Sequence, residues 1–296
     1  MNINEIIKKK LNAISFFQGE VTVKRLNGGL SNYSYLVTDS NKKCVARFLT
    51  NRKHYHVLNF HELAASKAAD EAGVAPKVIY NEKEFLIFEY IPSNPLTFEN
   101  LKQEKNLKKI IFLLKVVHKN VANYFHGPAL TFWPFYSVKD YARTLKEINS
   151  PYIGVLNTLL DDSEMFENML SPSEIVFSHG DMYPLNILDD GKKIWFIDWE
   201  HAGFNHALTD LASLSKHGEL NQNEENYILD QYYKDSFSSK LMCQLNIIKC
   251  ASIIREILWS MIAEIKLPIN YDFNNYTLKA LEKYKIQLDS FKSIYL

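Results

Sequence analysis

Apolar positions alternate with polar ones over short runs in the first third of the chain, and recur every third or fourth residue over long runs afterwards. The runs VTVKRL, YSYLVTD and KKCVARFLT are rich in β-branched and aromatic residues and are separated by NGGLSN and SN turns, so they predict an antiparallel meander. HYHVLNFHELAASKAADEAG has no proline, is rich in alanine and ends in Gly73, which predicts one glycine-capped helix. APKVIY and EFLIFEYI, joined by NEKE, return to strand character. They complete a five-stranded sheet with one inserted helix by about residue 91. Beyond PSNP the period changes to 3.6, and helices are predicted over 97–120, 138–169, 206–235, 239–266 and 272–289. In that part only NILDD and KIWFIDW read as strands, and they flank the hairpin signal Asp190-Gly191. The prediction is an α+β chain with a small β-rich lobe, 1–91, and a large helical lobe, 92–296. The FEYIPSNP junction is short, so the lobes should face each other across a cleft.

Composition narrows the ligand classes. The 296 residues carry 34 basic and 34 acidic side chains, so no net field draws the chain to nucleic acid or an anionic membrane, and an anionic ligand must be held by local groups. The opening MNINEIIKKKLNAISFF lacks the apolar core of a signal peptide, and no run approaches the roughly 18 apolar residues of a membrane span. A cytoplasmic protein is expected. Cys44, Cys243 and Cys250 have neither paired nor metal-binding spacing, and free thiols are expected.

The chemistry concentrates in FSHGDMYPLNILDD and WFIDWE. A hairpin turning at Asp190-Gly191 brings Asn186, at the start of one arm, back towards Asp198, at the end of the other. An amide oxygen and a carboxylate so arranged suit Mg²⁺. Asp181, five residues before Asn186, then sits near the metal without having to bind it, where a group orienting a nucleophilic hydroxyl belongs. Its ordinary pKa near 4 is too low to ionise an alcohol beforehand, so it would align the hydroxyl and take its proton late. Asp and Asn also occupy turns for local reasons, and Asp190 is read that way. The other three lie between apolar runs, where unpaired polar groups would be costly. In NGGLSN, Gly28 and Gly29 between two strands would let backbone amides approach phosphate oxygens, although a Gly-Gly hairpin is commonly just a turn.

HGDMYPLN, followed by FIDWEHAG and TDLA, resembles the catalytic core of the choline/ethanolamine kinase branch of the kinase-like phosphotransferases. The resemblance implies a protein-kinase-like fold with MgATP between the lobes and Asp181 as catalytic aspartate. It also implies Asn186 and Asp198 as Mg²⁺ holders, with His179 and Asp210 supporting the loop. Independently of it, Gly28, Gly29, Leu30, Ser31 and Asn32 are expected at the phosphates; the resemblance gives Arg47 the same task in place of a kinase lysine, and Glu62 on the next helix is its candidate partner, although it could be an ordinary surface ion pair. IFEYI resembles the inter-lobe hinge, so the backbone of Glu89, Tyr90 and Ile91 would meet adenine. Arginine suits phosphate because its planar fork stays charged.

The implied acceptor is a small amino alcohol, choline first, then ethanolamine. Thiamine and aminoglycosides are acceptors of similar cores, and a nucleotide-binding pseudokinase is a reading from another class. REILWSMIAEIKLPINYDFNNYTLKALEKY resembles the C-terminal helical segment of choline kinases, with Trp259 and Tyr276 at the aromatic positions of the ammonium pocket. Quaternary ammonium is recognised by aromatic faces and nearby carboxylates. Glu200, Glu219 and Glu256 are the candidate carboxylates, and Tyr183 and Trp199 are candidate walls. Glu256 stands where the family often has a second tryptophan, three residues before Trp259 and on the same helical face. That substitution leaves room for a primary amine or a thiazolium. LTFWPFY, 130–136, reads either as lobe packing or as the acceptor entrance. The resemblance also allows a homodimer.

Overall fold

The computed structural model describes residues 3–26, 33–49, 55–234, 238–267 and 269–296. Helix α1 (Ile3–Asn12) precedes strands β1 (Thr22–Arg25), β2 (Tyr33–Thr38) and β3 (Lys43–Phe48). Helix α2 (Asn59–Glu71), β4 (Val78–Asn81) and β5 (Phe85–Glu89) follow. The five strands form one antiparallel sheet in the order β1-β2-β3-β5-β4. Its alternation is that of a half-buried sheet: Tyr35 and Val37, Cys44 and Ala46, Phe85 and Ile87 point into one core. Ile7 and Leu11, one helical turn apart on α1, close that core. Each such side chain contributes about 1.5–3 kcal/mol of apolar burial before entropy is counted.

Helix α2 faces the other way. Its Ala65, Ala68 and Ala69 are completely buried against the core of the helical lobe, where small side chains let the backbones approach closely. Through α2 the N-terminal part of the chain therefore contributes to the core of the helical lobe.

After a two-residue strand, β6 (Asn94–Pro95), come α3 (Phe98–Leu101), α4 (Glu104–Asn120), α5 (Pro134–Glu147) and α6 (Ile153–Met169). The single helix expected over 138–169 is two helices, because Asn149 takes a left-handed φ of 50° and Pro151 follows it. The helix expected over 206–235 is likewise divided into α7 (Leu208–Gly218) and α8 (Gln222–Tyr233). Glu219 turns left-handed there, and Asn221 caps α8 in a reciprocal capping box with Glu224. Helix α9 (Ser239–Lys266) is buried on nearly every side from Met242 to Ala263, and α10 (Phe273–Tyr295) packs along it.

Four further short strands complete the lobe: β7 (Ile175–Ser178), β8 (Ile187–Asp189), β9 (Ile194–Phe196) and β10 (Gly203–His206). The hairpin expected around Asp190-Gly191 is present. Asp190 Oδ1 accepts the amides of Lys192 and Lys193, both at 2.7 Å, and Oδ2 accepts the Trp195 indole. Those bonds, led by Lys193, hold its carboxyl down at about 2. Strands β7 and β10 pair antiparallel around the hairpin and were not expected, being four residues each with weak alternation. All three cysteines are free thiols. Among the described residues no helix is long and apolar enough to cross a membrane.

Candidate active site

The β8–β9 hairpin lies in sequence between the two arms of the β7–β10 pair. This nesting brings two connections together: residues 179–186, between β7 and β8, and residues 197–202, between β9 and β10. The Ile197 amide donates to the Asn186 carbonyl at 3.0 Å, closing the hairpin where Asn186 and Asp198 meet.

Asp210, completely buried on α7, fixes the first connection. Its Oδ2 accepts the His179 amide at 2.8 Å and His118 Nε2 at 2.9 Å, and its Oδ1 accepts the Gly180 amide at 2.7 Å. Burial works to raise this carboxyl, but the His118 hydrogen bond and the other donors outweigh it and hold it below its ordinary value. Ser213, one turn further along α7, accepts the Met182 amide at 2.9 Å. The His179 ring is used up: Nε2 donates to the Ile197 carbonyl at 2.9 Å, which leaves Nδ1 to accept the Asp181 amide at 3.3 Å. Burial keeps that ring neutral. His179 thus ties the two connections together and has no free nitrogen for base catalysis.

Gly180 has φ +83°, and a Cβ there would lie 2.3 Å from the His201 carbonyl oxygen. Gly180→Ala should therefore cost about 2 kcal/mol or more from the backbone conformation and the forced separation of the connections. The displacement of Asp181 should cut turnover on the order of 100-fold. Urea denaturation and steady-state kinetics check both; unchanged kinetics would show that the tight approach is not needed.

Asp181 Oδ2 accepts Asn186 Nδ2 at 2.9 Å, and the same amide reaches the Asp181 carbonyl at 3.1 Å. His217 Nε2 lies 3.5 Å from Asp181 Oδ1. Burial and the charge of Asp198 push the Asp181 carboxyl up to about 7, against the pull of Lys216 and Arg255.

Arg47, on β3, gathers the other carboxylates. Its Nε donates to Glu62 Oε1 at 2.6 Å, Nη1 to Asp198 Oδ2 at 3.1 Å and Nη2 to Glu200 Oε2 at 3.2 Å, with a second bond from Nη2 to Asp198 Oδ1. Burial opposes its charge, but Asp198, Glu62 and Glu200 together raise its pKa. Asp198 has φ 70° and ψ 69°, a left-handed conformation costing a non-glycine residue about 1–2 kcal/mol. The adjoining turn, Trp199–His201, brings Glu200 onto Arg47. That corrects the grouping of Glu200 with the acceptor carboxylates: two residues after Asp198, it belongs to the arginine cluster.

These residues fit a divalent cation. Three carboxylates, Glu62, Asp198 and Glu200, hold one guanidinium, and the charge of Asp198 also reaches Asp181, an excess of negative charge in a largely buried place. The Asn186 amide nitrogen is spent on Asp181, so its Oδ1 is the atom that could face a cation. Among the described residues no three His, Cys, Asp or Glu side chains form an all-protein metal cage. Mg²⁺ does not require one, being held through one or two protein oxygens, water and phosphate.

A second cluster lies on the helices. Glu256, on α9, accepts Lys216 Nζ at 2.6 Å on Oε2 and the Tyr276 hydroxyl on Oε1. Burial would raise Glu256, but Lys216 and the Tyr276 hydrogen bond bring it down to about 2. The Trp259 ring centroid is 6.2 Å from those of Tyr276 and Tyr55, and 5.9 Å from that of Phe273. Tyr183 joins the two clusters, with its ring edge-on to His217 at 5.1 Å and its hydroxyl under the charges of Asp181 and Glu256. Trp199 is buried beneath the loop, 4.6 Å from His179, and is core, not pocket wall. Glu219 stands at the exposed end of α7, paired with Lys283. In LTFWPFY, Phe135 is in the core, while Phe132 packs on His201 and under Arg255 and with Pro134 lines a small pocket beside Gly180 and Lys216, so the run both packs the lobe and borders the site.

Gly28, Gly29, Leu30, Ser31 and Asn32 lie outside the described residues. At the junction the Glu89 amide is spent on the Lys77 carbonyl at 2.8 Å, which leaves Tyr90 and Ile91 to offer backbone to a ligand. A cavity of about 630 Å³ is bounded by Tyr90, Asn94, Asn100 and Asp189 and contains none of the site carboxylates. The site is defined by converging charge, not by that hollow.

Lys216, His217 and Arg255 act electrostatically on Asp181 or touch it, and none stood out in the sequence. One signal was there: Asp210, Ser213 and His217 are spaced three and four apart, on the α7 face turned to the loop.

The sequence profile described as choline/ethanolamine kinase matches residues 23–223. A probable ethanolamine kinase A of Dictyostelium discoideum is 24% identical over 310 residues, covering 93% of this chain and 88% of that protein. The crystal structure of choline kinase LicA from Streptococcus pneumoniae superposes with a TM-score of 0.81 at 22% identity, over 98% of this chain and all of that one. A LicA structure in complex with AMP superposes at 0.76, also 22% identical, over 98% and 99% of the two chains.

Proposed function

The chain belongs to the choline/ethanolamine kinase family of alcohol-group phosphotransferases, and on that premise we propose that it transfers the γ-phosphoryl group of ATP to the hydroxyl of choline or ethanolamine. The observation that carries this reading is the position of Asp181, between the carboxylate cluster gathered on Arg47 and the Glu256–Tyr276–Trp259 cluster. The first has the chemistry to take a metal-bound triphosphate, the second that to take an ammonium.

Asp181 accepts the acceptor's hydroxyl hydrogen and aligns its oxygen with the phosphorus, while Asn186 and His217 keep its two oxygens in place. The proton passes to Asp181 late, as the new O–P bond forms. Arg47 directs its guanidinium at the phosphates, with Glu62 fixing its orientation. The backbone of Tyr90 and Ile91 meets the adenine. Asn186 and Asp198 would hold Mg²⁺, which when bound offsets the charge of the phosphate oxygens. Catalysis is thus positioning and charge stabilisation, with no covalent enzyme intermediate. On the acceptor side the faces of Trp259, Tyr276 and Tyr183 and the carboxylate of Glu256 receive the cationic head.

Incubation with MgATP and, separately, choline, ethanolamine, thiamine and kanamycin, with ADP release as the readout, tests the proposal. Release is expected with choline or ethanolamine. Release only with thiamine or kanamycin would move the chain to a different acceptor, and ATP binding without any release would make it a pseudokinase.

A further inference from the structure

The cluster assigned to the acceptor's ammonium already contains one. Lys216 Nζ, from α7, sits 2.6 Å from Glu256 Oε2, and both side chains are mostly withdrawn from water, 10% and 21% exposed. We propose that Lys216 sets acceptor specificity by occupying Glu256 from within, so that the pocket favours a primary ammonium over a quaternary one. The inference rests on the amino-alcohol reading of the site.

The argument concerns what Glu256 has left to offer. A carboxylate has about four lone-pair positions. Lys216 takes one on Oε2 and the Tyr276 hydroxyl one on Oε1. A primary ammonium can donate N–H bonds to those that remain, sharing the carboxylate with Lys216. A quaternary ammonium has no N–H and draws only on the net field of the site, which the Lys216 charge cancels. Arg255, whose charge also reaches Asp181, adds to the cationic surroundings. The aromatic faces remain, but a bulky head must then bind on stacking alone.

Packing does not require this pair. Helices α7 and α9 already meet through Leu211, Leu214, Leu245 and Ile248. The ion pair of Glu225, on α8, with Lys249 and its bond from Ser215 tie α7, α8 and α9 together elsewhere. Lys216–Glu256 lies instead beside Tyr183 and His217, where an acceptor would have to reach Asp181.

The test uses the full chain and two hydroxyl-free cations, methylammonium and tetramethylammonium, titrated calorimetrically into the native protein, Lys216→Met and Lys216→Arg. Methylammonium should bind the native protein more tightly. Lys216→Met should tighten tetramethylammonium about tenfold and methylammonium only a few-fold, so the preference collapses, and Lys216→Arg should retain it. In turnover, the KM for choline should fall in Lys216→Met while that for ATP stays unchanged. If Lys216→Met does not fold, Lys216→Gln should show the same shift. Unchanged or weaker tetramethylammonium binding in the neutral variant would overturn the proposal, as would an unaltered ratio of the two cations. Neither cation can be phosphorylated, so this result is read separately from the acceptor panel: a collapsed preference without amino-alcohol turnover would sink the kinase reading and keep the cation site.

Discussion

Asp181→Ala is expected to lower kcat by about 10²–10⁴-fold while the KM for ATP changes little. The side chain removed is the one that would align the acceptor oxygen, whereas the arginine cluster assigned to the nucleotide stays whole. The fold should not suffer. Asp181 is a partly desolvated carboxylate repelled by Asp198, so its loss relieves an unfavourable interaction. The Asn186 amide keeps its bond to the Asp181 carbonyl, and the loop keeps its anchors on Asp210 and Ser213. ADP release under MgATP and a thermal melt together check this. Near-native turnover by the alanine variant would remove Asp181 from the mechanism, and a large fall in melting temperature would make its role structural.

Arg47→Met should destabilise the protein by about 3–5 kcal/mol, because it leaves buried carboxylates without their counter-charge. Glu62 is 1% exposed and Glu200 5%, so neither can turn to water. Burial and the charges of Glu200 and Asp198 already press the Glu62 carboxyl upwards, with Arg47 opposing them. Without Arg47 that opposition is lost, and the cheapest relief is protonation of Glu62. The double variant Arg47→Met/Glu62→Gln should therefore recover part of the stability lost, yet still bind ATP weakly. Urea denaturation and calorimetric ATP titration separate the two effects. A single variant as stable as the native protein would show that the cluster tolerates its own repulsion, and native ATP affinity in the double variant would take Arg47 out of phosphate binding.

The elements that could be read from the chain were those in which one periodicity runs unbroken. The five-stranded sheet follows from alternation in YSYLVTD, KKCVARF and EFLIFE, and α9 from its long apolar run. Helix ends were read less well. The breaks at Asn149 and Glu219 depend on left-handed residues that are not glycine, and an apolar period counted through them continues undisturbed. Strands β7 and β10 are four residues each, and their pairing depends on a partner some 25 residues away.

The site divides in the same way. Asp181, Asn186 and Asp198 could be related along the chain because a single hairpin connects them, and local turn chemistry at Asp190-Gly191 decides that hairpin. Glu200 could not be placed so. Its position two residues beyond Asp198 is compatible with either cluster, and only the short helical turn after the left-handed Asp198 directs it to Arg47. Glu256 and Tyr276 were each picked out in the C-terminal segment, but Lys216, forty residues before Glu256, carries no mark in its own neighbourhood.

By itself, then, the sequence determined the α+β organisation, the hairpin that relates Asp181, Asn186 and Asp198, and the family to which its motifs point. Those features rest on interactions among residues near one another in the chain, which composition and spacing record. The tertiary structure alone decided which charges meet: Arg47 with three carboxylates from α2 and the β9–β10 connection, Asp210 with the loop before β8, and Lys216 with Glu256 across α7 and α9. Coulomb energy depends on distance and burial, and for groups 15 to 153 residues apart neither exists until the helices and sheet have packed.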